Sequence, residues 1–261
     1  MQLSDILQAD FWPSKVTACQ TLNGLSGGSY RLELENGQCF LLRLQHDDLL
    51  RLGAARQFEG DLLFSLQLLS FVPTVFHIGD DFLVLHWIEG LPPTKWNEPH
   101  LARLADCLQQ LHHFSVLHST ELSALPQLDL IQRIFFLLQQ LPAEQQGCWL
   151  MQLDKLKPFN DCDVQIVGHH DLHRENIIVQ ADGSLKLLDW EYAAISNPAL
   201  ELAFMFANND FNEKQQRYFL RRYTHSNSLI GQDRTFTQSI NLYLPWVKLL
   251  NRLWLQVRQQ F

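Results

Sequence analysis

The segment from Val167 to Glu201 constrains this chain more than any other. In it His169-His170-Asp171-Leu172-His173-Arg174-Glu175-Asn176 is followed by Leu188-Asp189-Trp190-Glu191-Tyr192. Between the two clusters, Ile177-Ile178-Val179 and Leu185-Lys186-Leu187-Leu188 are β-favouring runs joined by Ala181-Asp182-Gly183-Ser184, and Asp-Gly is the usual composition of a tight hairpin turn. Closing that hairpin sets Asn176 beside Asp189. An amide oxygen and a carboxylate are a sufficient protein set for magnesium, whose other positions take water and nucleotide phosphates. Asp171, just upstream, is placed to receive a proton. An aspartate, an asparagine five residues on and a second aspartate ending an apolar strand are the parts that phosphoryl transfer from ATP needs.

These residues resemble the aminoglycoside phosphotransferase and choline kinase superfamily, relatives of the protein kinases. Its catalytic loop reads His-Gly-Asp-Leu-His-x-x-Asn and its metal motif Ile-Asp-Trp/Phe-Glu. His169, Asp171, His173, Asn176, Asp189 and Glu191 match, and His170 departs, standing where glycine is common. Asp189 to Ala193, Asn197-Pro198-Ala199-Leu200-Glu201-Leu202-Ala203, the early Leu25-Ser26-Gly27-Gly28-Ser29 and the late Leu244-Pro245-Trp246 are most similar to the bacterial thiamine kinases, with bacterial choline kinases next. The resemblance implies an α+β, protein-kinase-like, two-lobed fold: a small antiparallel β-sheet lobe over residues 1–87 and a larger, mainly helical lobe over 88–261. It also implies an ATP-dependent kinase acting on an alcohol, thiamine first, with choline, ethanolamine or an aminoglycoside as alternatives. A non-catalytic, kinase-like ligand-binding protein is the rival of another class. Retention of Asp171, Asn176 and Asp189 together argues against it.

Composition limits the partners. The 261 residues, 46% of them hydrophobic, bury a large core, and 20 basic against 28 acidic residues give a formal net charge of −8. No basic stripe is present to hold nucleic acid, whereas a cationic small-molecule acceptor is not repelled. No window approaches the roughly 20 apolar residues that cross a bilayer. The N-terminus lacks the charge and apolar block of a secretory signal, and the five scattered cysteines read as reduced thiols, so the expected location is cytoplasmic.

The first third carries the nucleotide candidates. Ser26, Gly27, Gly28 and Ser29 let backbone amides approach phosphates without a Cβ in the way, although such turns are more often plain loops. Runs 29–34 and 38–44 flank Asn36-Gly37, a hairpin signal. Arg43 falls where kinases keep a phosphate-binding lysine; otherwise it is an edge-strand surface arginine. Phe58, Leu62, Leu66 and Leu69 recur at helical spacing, and Glu59 beside them either reaches Arg43, as a helix glutamate does in kinases, or is solvated. The strand Phe82–Ile88 ends at Glu89-Gly90-Leu91-Pro92-Pro93, and a kinase-like fold has adenine bonded to backbone between Leu85 and Ile88, Trp87 included.

Helical patterns follow at Leu101–Leu111, Ile131–Leu141, Pro198–Asn208, Glu213–His225 and Asp233–Arg258. His169 and His173 fit a kinase loop in which histidines fix loop shape. Trp190, Tyr192 and Trp246 form an aromatic wall around a cationic acceptor, or else are core. Glu191 is a candidate for sensing that cation. Glu201 opens a helix, where it caps, supports the loop or touches the acceptor.

Overall fold

The structure, a computed structural model, describes residues 2–22, 28–54, 56–159, 164–225, 229 and 234–260. The chain divides into two compact units, Met1–Glu89 and Gly90–Phe261. Gly90 opens the second with φ 140°, and a Cβ there would lie 2.5 Å from the Val179 carbonyl oxygen, so only glycine lets the chain run this close to that strand.

The N-terminal unit contains α1 (Leu3–Leu7), β1 (Val16–Thr21), β2 (Ser29–Leu34), β3 (Cys39–Leu44), α2 (Asp47–Arg51), α3 (Arg56–Ser65), β4 (Val75–Ile78) and β5 (Phe82–His86). The strands form one antiparallel sheet in the order β1-β2-β3-β5-β4. At the β2–β3 turn Gly37 takes φ 81° and donates to the Leu34 carbonyl at 2.9 Å, while the Asn36 side chain accepts from Gln38 N at 3.0 Å. Strand side chains alternate between faces, so Leu32, Leu34, Phe40 and Leu42 gather with Ile6, Phe82 and Val84 in one core.

The C-terminal unit contains α4 (Glu98–Leu117), α5 (Leu130–Gln139), α6 (Ala143–Leu153), β6 (Ile166–Gly168), β7 (Ile177–Val179), β8 (Leu185–Leu187), β9 (Ala194–Ser196), α7 (Pro198–Asn208), α8 (Glu213–Thr224) and α9 (Arg234–Arg258). β6 pairs with β9 and β7 with β8, both antiparallel. α7 packs on α9 and α4 on α8. Leu101, Leu104, Leu108 and Leu111 are fully buried along α4, as their spacing predicts. α7 begins where Asn197 caps Leu200 N at 2.9 Å with Pro198 at its start, and it is buried continuously from Pro198 to Phe206. Among the described residues no helix is long and apolar enough to cross a membrane.

α4 and α8 are also joined by a polar contact: His112 Nδ1 lies 2.6 Å from the Tyr223 hydroxyl in a fully buried setting. Burial pushes the His112 imidazole down from 6.5 to about 3, with the charges of His170 and His113 acting the same way. The ring is therefore neutral in the folded state while the unfolded chain takes up a proton below its usual value. Its contribution to stability is complete above pH 6.5 and is lost as pH falls from there toward 3. His112→Gln is expected to flatten the fall in urea-unfolding free energy between pH 6 and 4, by up to about 1.4 kcal/mol per pH unit. An unchanged slope would refute the assignment.

Candidate active site

The β7–β8 hairpin brings the polar cluster together. Ile177 faces Leu187 in its register, and Leu188 N donates to the Asn176 carbonyl at 2.7 Å, so Asn176 and Asp189 follow one another across the strand ends. The Asn176 amide nitrogen donates to both the main-chain oxygen of Asp171, at 2.9 Å, and its Oδ2, at 3.0 Å. Both amide donors are thus spent on Asp171, and the amide oxygen is the acceptor that the side chain has left. Asp171 Oδ1 accepts from Asn208 Nδ2 at 3.3 Å, and Asn208 is itself oriented by Asn251 Nδ2 at 2.6 Å. Each carboxylate oxygen of Asp171 thus has an amide donor.

Although 27% of its side chain is exposed, Asp171 is pushed well above the usual carboxylate range. Removal from water is the largest cause, followed by the like charges of Asp189 and Glu191, with Asn176 acting in opposition. A carboxylate so placed has a raised affinity for a proton.

The surrounding loop is fixed by buried groups. His169 Nδ1 accepts from Asp171 N at 3.3 Å and its Nε2 donates to the Leu188 carbonyl at 2.8 Å, which defines the tautomer. Burial lowers His169 to about 4, so the ring is neutral at physiological pH. Glu201, in the first turn of α7, accepts from His170 N at 2.9 Å, and burial raises its carboxyl to about 7 against the effect of the His170 and His169 amides. His173 is half-buried, with Nδ1 2.8 Å from Glu175 and Nε2 3.7 Å from Asp171 Oδ2. Among the described residues His170 and Asp189 are the only non-glycines with positive φ, at 62° and 63°. Such positions cost about 1 kcal/mol or more and collect at functional sites.

In the N-terminal unit Arg43, Glu59 and Arg56 form a buried triad. Arg43 and Arg56 each donate to a different oxygen of Glu59, the latter at 2.9 Å. The Arg43–Glu59 contact is one of the two alternatives the sequence leaves open. Arg56, three residues before Glu59 on the same helix, is a second cation that the sequence reading omits. Ser29 faces Arg43 across β2 and β3. Gly28 takes φ 65°, and a Cβ there would collide with the His46 ring at 2.2 Å. Ser26 and Gly27 lie outside the described residues.

Several candidates are engaged by contacts within the fold. Trp190 is 1% exposed, packs on His169 with ring centroids 4.6 Å apart and donates its indole N–H to the Leu187 carbonyl at 2.7 Å, which is the core alternative of the two. Trp246 is 9% exposed, edge-on to Phe159, with its N–H on the Lys157 carbonyl at 2.8 Å. Tyr192 has the Arg133 guanidinium 5.4 Å from its ring centre and its hydroxyl accepts from Trp254 at 3.0 Å. Glu191 is buried and its charge acts on Arg133. Leu85 is a buried central-sheet residue, and Trp87 N donates to the Cys39 carbonyl at 3.1 Å. Asn208 and Asn251 escape the sequence reading because nothing in the 37-residue separation of Asn208 from Asp171 signals their meeting.

An antiparallel-sheet unit carrying a buried Arg-Glu pair, and a helical unit with Asp171 in the loop before a short hairpin flanked by Asn176 and Asp189, make up a kinase-like fold. The model of the "Phosphotransferase enzyme family" matches residues 18–237, and the chain belongs to that family. It is a small-molecule phosphotransferase. It is 29% identical to a thiamine kinase of Shigella boydii over 97% of this chain and 87% of that one, and 29% identical to a thiamine kinase of Escherichia coli over 98% and 88%. Among solved structures, the choline kinase LicA from Streptococcus pneumoniae matches with TM-score 0.73 at 19% identity, covering 94% of this chain and 86% of that one. An aminoglycoside-3'-phosphotransferase of type VIII matches with TM-score 0.61 at 19% identity, over 91% and 94%.

Glu59 is the shared counter-ion of two buried guanidinium groups, so its removal takes a buried ion-pair partner from both. Glu59→Ala is expected to lower the urea-unfolding free energy by about 3 kcal/mol, a loss within experimental error showing that the triad is not buried as described.

Proposed function

We propose that the protein is an ATP- and magnesium-dependent kinase that transfers the γ-phosphate to the primary alcohol of thiamine. The observation that supports this reading most is the grip on Asp171: a proton-seeking carboxylate whose two oxygens are oriented by Asn176 and Asn208. In this reading the acceptor hydroxyl hydrogen-bonds Asp171, and the carboxylate takes its proton as the new P–O bond forms. Neither amide can accept that proton. They fix the direction in which the carboxylate lone pair faces.

Asn176 and Asp189 fit a magnesium ion, because the Asn176 amide nitrogen is spent on Asp171, its oxygen is a hard donor, and the neighbouring carboxylate adds a second. Among the described residues no cluster of three or more His, Cys, Asp or Glu offers a rival site. Bound there, the ion would supply charge neutralisation to the phosphates. Within the N-terminal unit, Arg43, oriented by Glu59, is the candidate cation for nucleotide phosphate, and Gly28 with Ser29 offers backbone donors beside it. Catalysis is then mostly positioning and electrostatics.

Thiamine is favoured as acceptor by the two thiamine kinases that align over nearly the whole chain. Choline or ethanolamine is the second reading, favoured by the likeness to the choline kinase structure.

Asp171→Ala is expected to retain the wild-type circular dichroism spectrum while turnover drops roughly 10²- to 10⁴-fold, and Asn208→Ala to lower kcat by about tenfold. Near-normal turnover in Asp171→Ala would remove that residue from the role. Magnesium-dependent ADP release, measured with thiamine, choline, ethanolamine and kanamycin in turn, is expected to give the highest kcat/KM for thiamine. A higher value for choline replaces the acceptor, and no acceleration by any of the four counts against a kinase acting on these alcohols.

A further inference from the structure

We propose that His170 is a positioning residue, a strut that fixes the Asp171 loop against the segment following Asp189 and so sets turnover more than substrate binding. The inference rests on the reading of Asp171 as proton acceptor. His170 stands where glycine is common in the superfamily, and its φ of 62° is one that glycine adopts freely and histidine does not. A side chain kept at such a position has to be held by what it touches.

The contacts run to three separate elements. His170 N donates to Glu201 on α7 at 2.9 Å. The ring lies 3.2 Å through Nδ1 from the Tyr192 carbonyl and 2.8 Å through Nε2 from the Ser196 hydroxyl on β9. A carbonyl only accepts, so Nδ1 carries the proton and Nε2 accepts from Ser196. Phe204 meets the ring edge-on, with centroids 5.2 Å apart. Tyr192 follows Asp189 by three residues, so one imidazole joins the residue before Asp171 to the chain just beyond the metal aspartate.

Room for the ring comes from Gly168. A Cβ added there would fall 2.4 Å from His170 Nε2 and 2.8 Å from Glu201 Oε2. The bulk withheld at 168 is supplied by the side chain at 170. Glycine at 170 would relieve the backbone yet leave the Tyr192 carbonyl and the Ser196 hydroxyl without the ring that joins them. Backbone strain and catalytic geometry therefore make opposite demands at this position, which separates a positioning role from a merely structural one.

The test compares His170→Gly, His170→Asn and Ser196→Ala with wild type and with Asp171→Asn, measuring thermal midpoint, kcat and KM for ATP and for the acceptor the wild type uses. His170→Gly is expected to keep its midpoint within a few degrees and both KM values within about twofold while kcat falls about tenfold or more. Ser196→Ala shifts kcat the same way by less. Asparagine tolerates positive φ and can offer an amide N–H to Tyr192, so His170→Asn recovers part of the loss. Wild-type kcat in His170→Gly, or a loss of kcat matched by a fall in midpoint, overturns the strut. Should His170→Gly fail to fold, Ser196→Ala decides, and its wild-type kcat overturns the proposal. If Asp171→Asn keeps full turnover, the underlying reading of Asp171 fails instead, whereas an inactive Asp171→Asn beside a fully active His170→Gly removes the strut alone.

Discussion

The neutral ring of His169 is the contact on which the polar cluster of the C-terminal unit depends. It accepts from the main chain of Asp171 on one side and donates to the main chain of Leu188, the neighbour of Asp189, on the other. Only an uncharged imidazole does both, because protonation would set a hydrogen where the Asp171 N–H points. Burial keeps the ring uncharged by lowering it to about 4, well away from neutrality. The same burial raises Glu201 to about 7, and that carboxyl receives the backbone N–H of His170. A neutral histidine and a carboxyl shifted toward its neutral form thus brace a loop whose half-buried member, Asp171, carries the chemistry proposed for it. The positive φ angles of His170 and Asp189 persist because this brace over-determines them.

Much of this was legible where local chemistry and periodicity coincide. The Asp182-Gly183 turn, with Gly183 at φ 79°, closes the hairpin that sets Asn176 beside Asp189, and Asn197-Pro198 marks the first turn of α7. Helices over 101–111 and 198–208 follow from their apolar spacing. Elements without a buried stripe were missed. β1 is an edge strand whose residues are largely exposed, so it shows no alternation to read. α6 buries Trp149 and little else, and β6 and β9 are three-residue strands whose pairing is decided by their partners. The longer helix read through Leu69 stops at Ser65, with turns beyond it.

The Arg43–Glu59–Arg56 group shows how a single sequence match can be correct in its pair and incomplete in its charge. One carboxylate holds two guanidinium groups in a buried setting, each through a different oxygen. Arg56 was within reach of the sequence, because its i,i+3 spacing to Glu59 holds on any helix covering both.

Acceptor recognition is the least legible part, for a physical reason. Whether a tryptophan lines a pocket or fills a core depends on where its indole N–H finds an acceptor, and here Trp190 and Trp246 find main-chain oxygens. Tyr192 has Arg133 above its ring, and Glu191 already acts on that guanidinium. A cationic acceptor approaching Glu191 thus meets a carboxylate with a positive neighbour and gains less than it would from an isolated one. The net charge of −8 attracts thiamine, choline and aminoglycosides alike, so it raises encounter without separating them. With Asp171 as the proposed proton acceptor, discrimination has to come from the shape and hydrogen bonding offered to the alcohol there, where a polar group left unpaired by the wrong acceptor is penalised far more than a misplaced methylene.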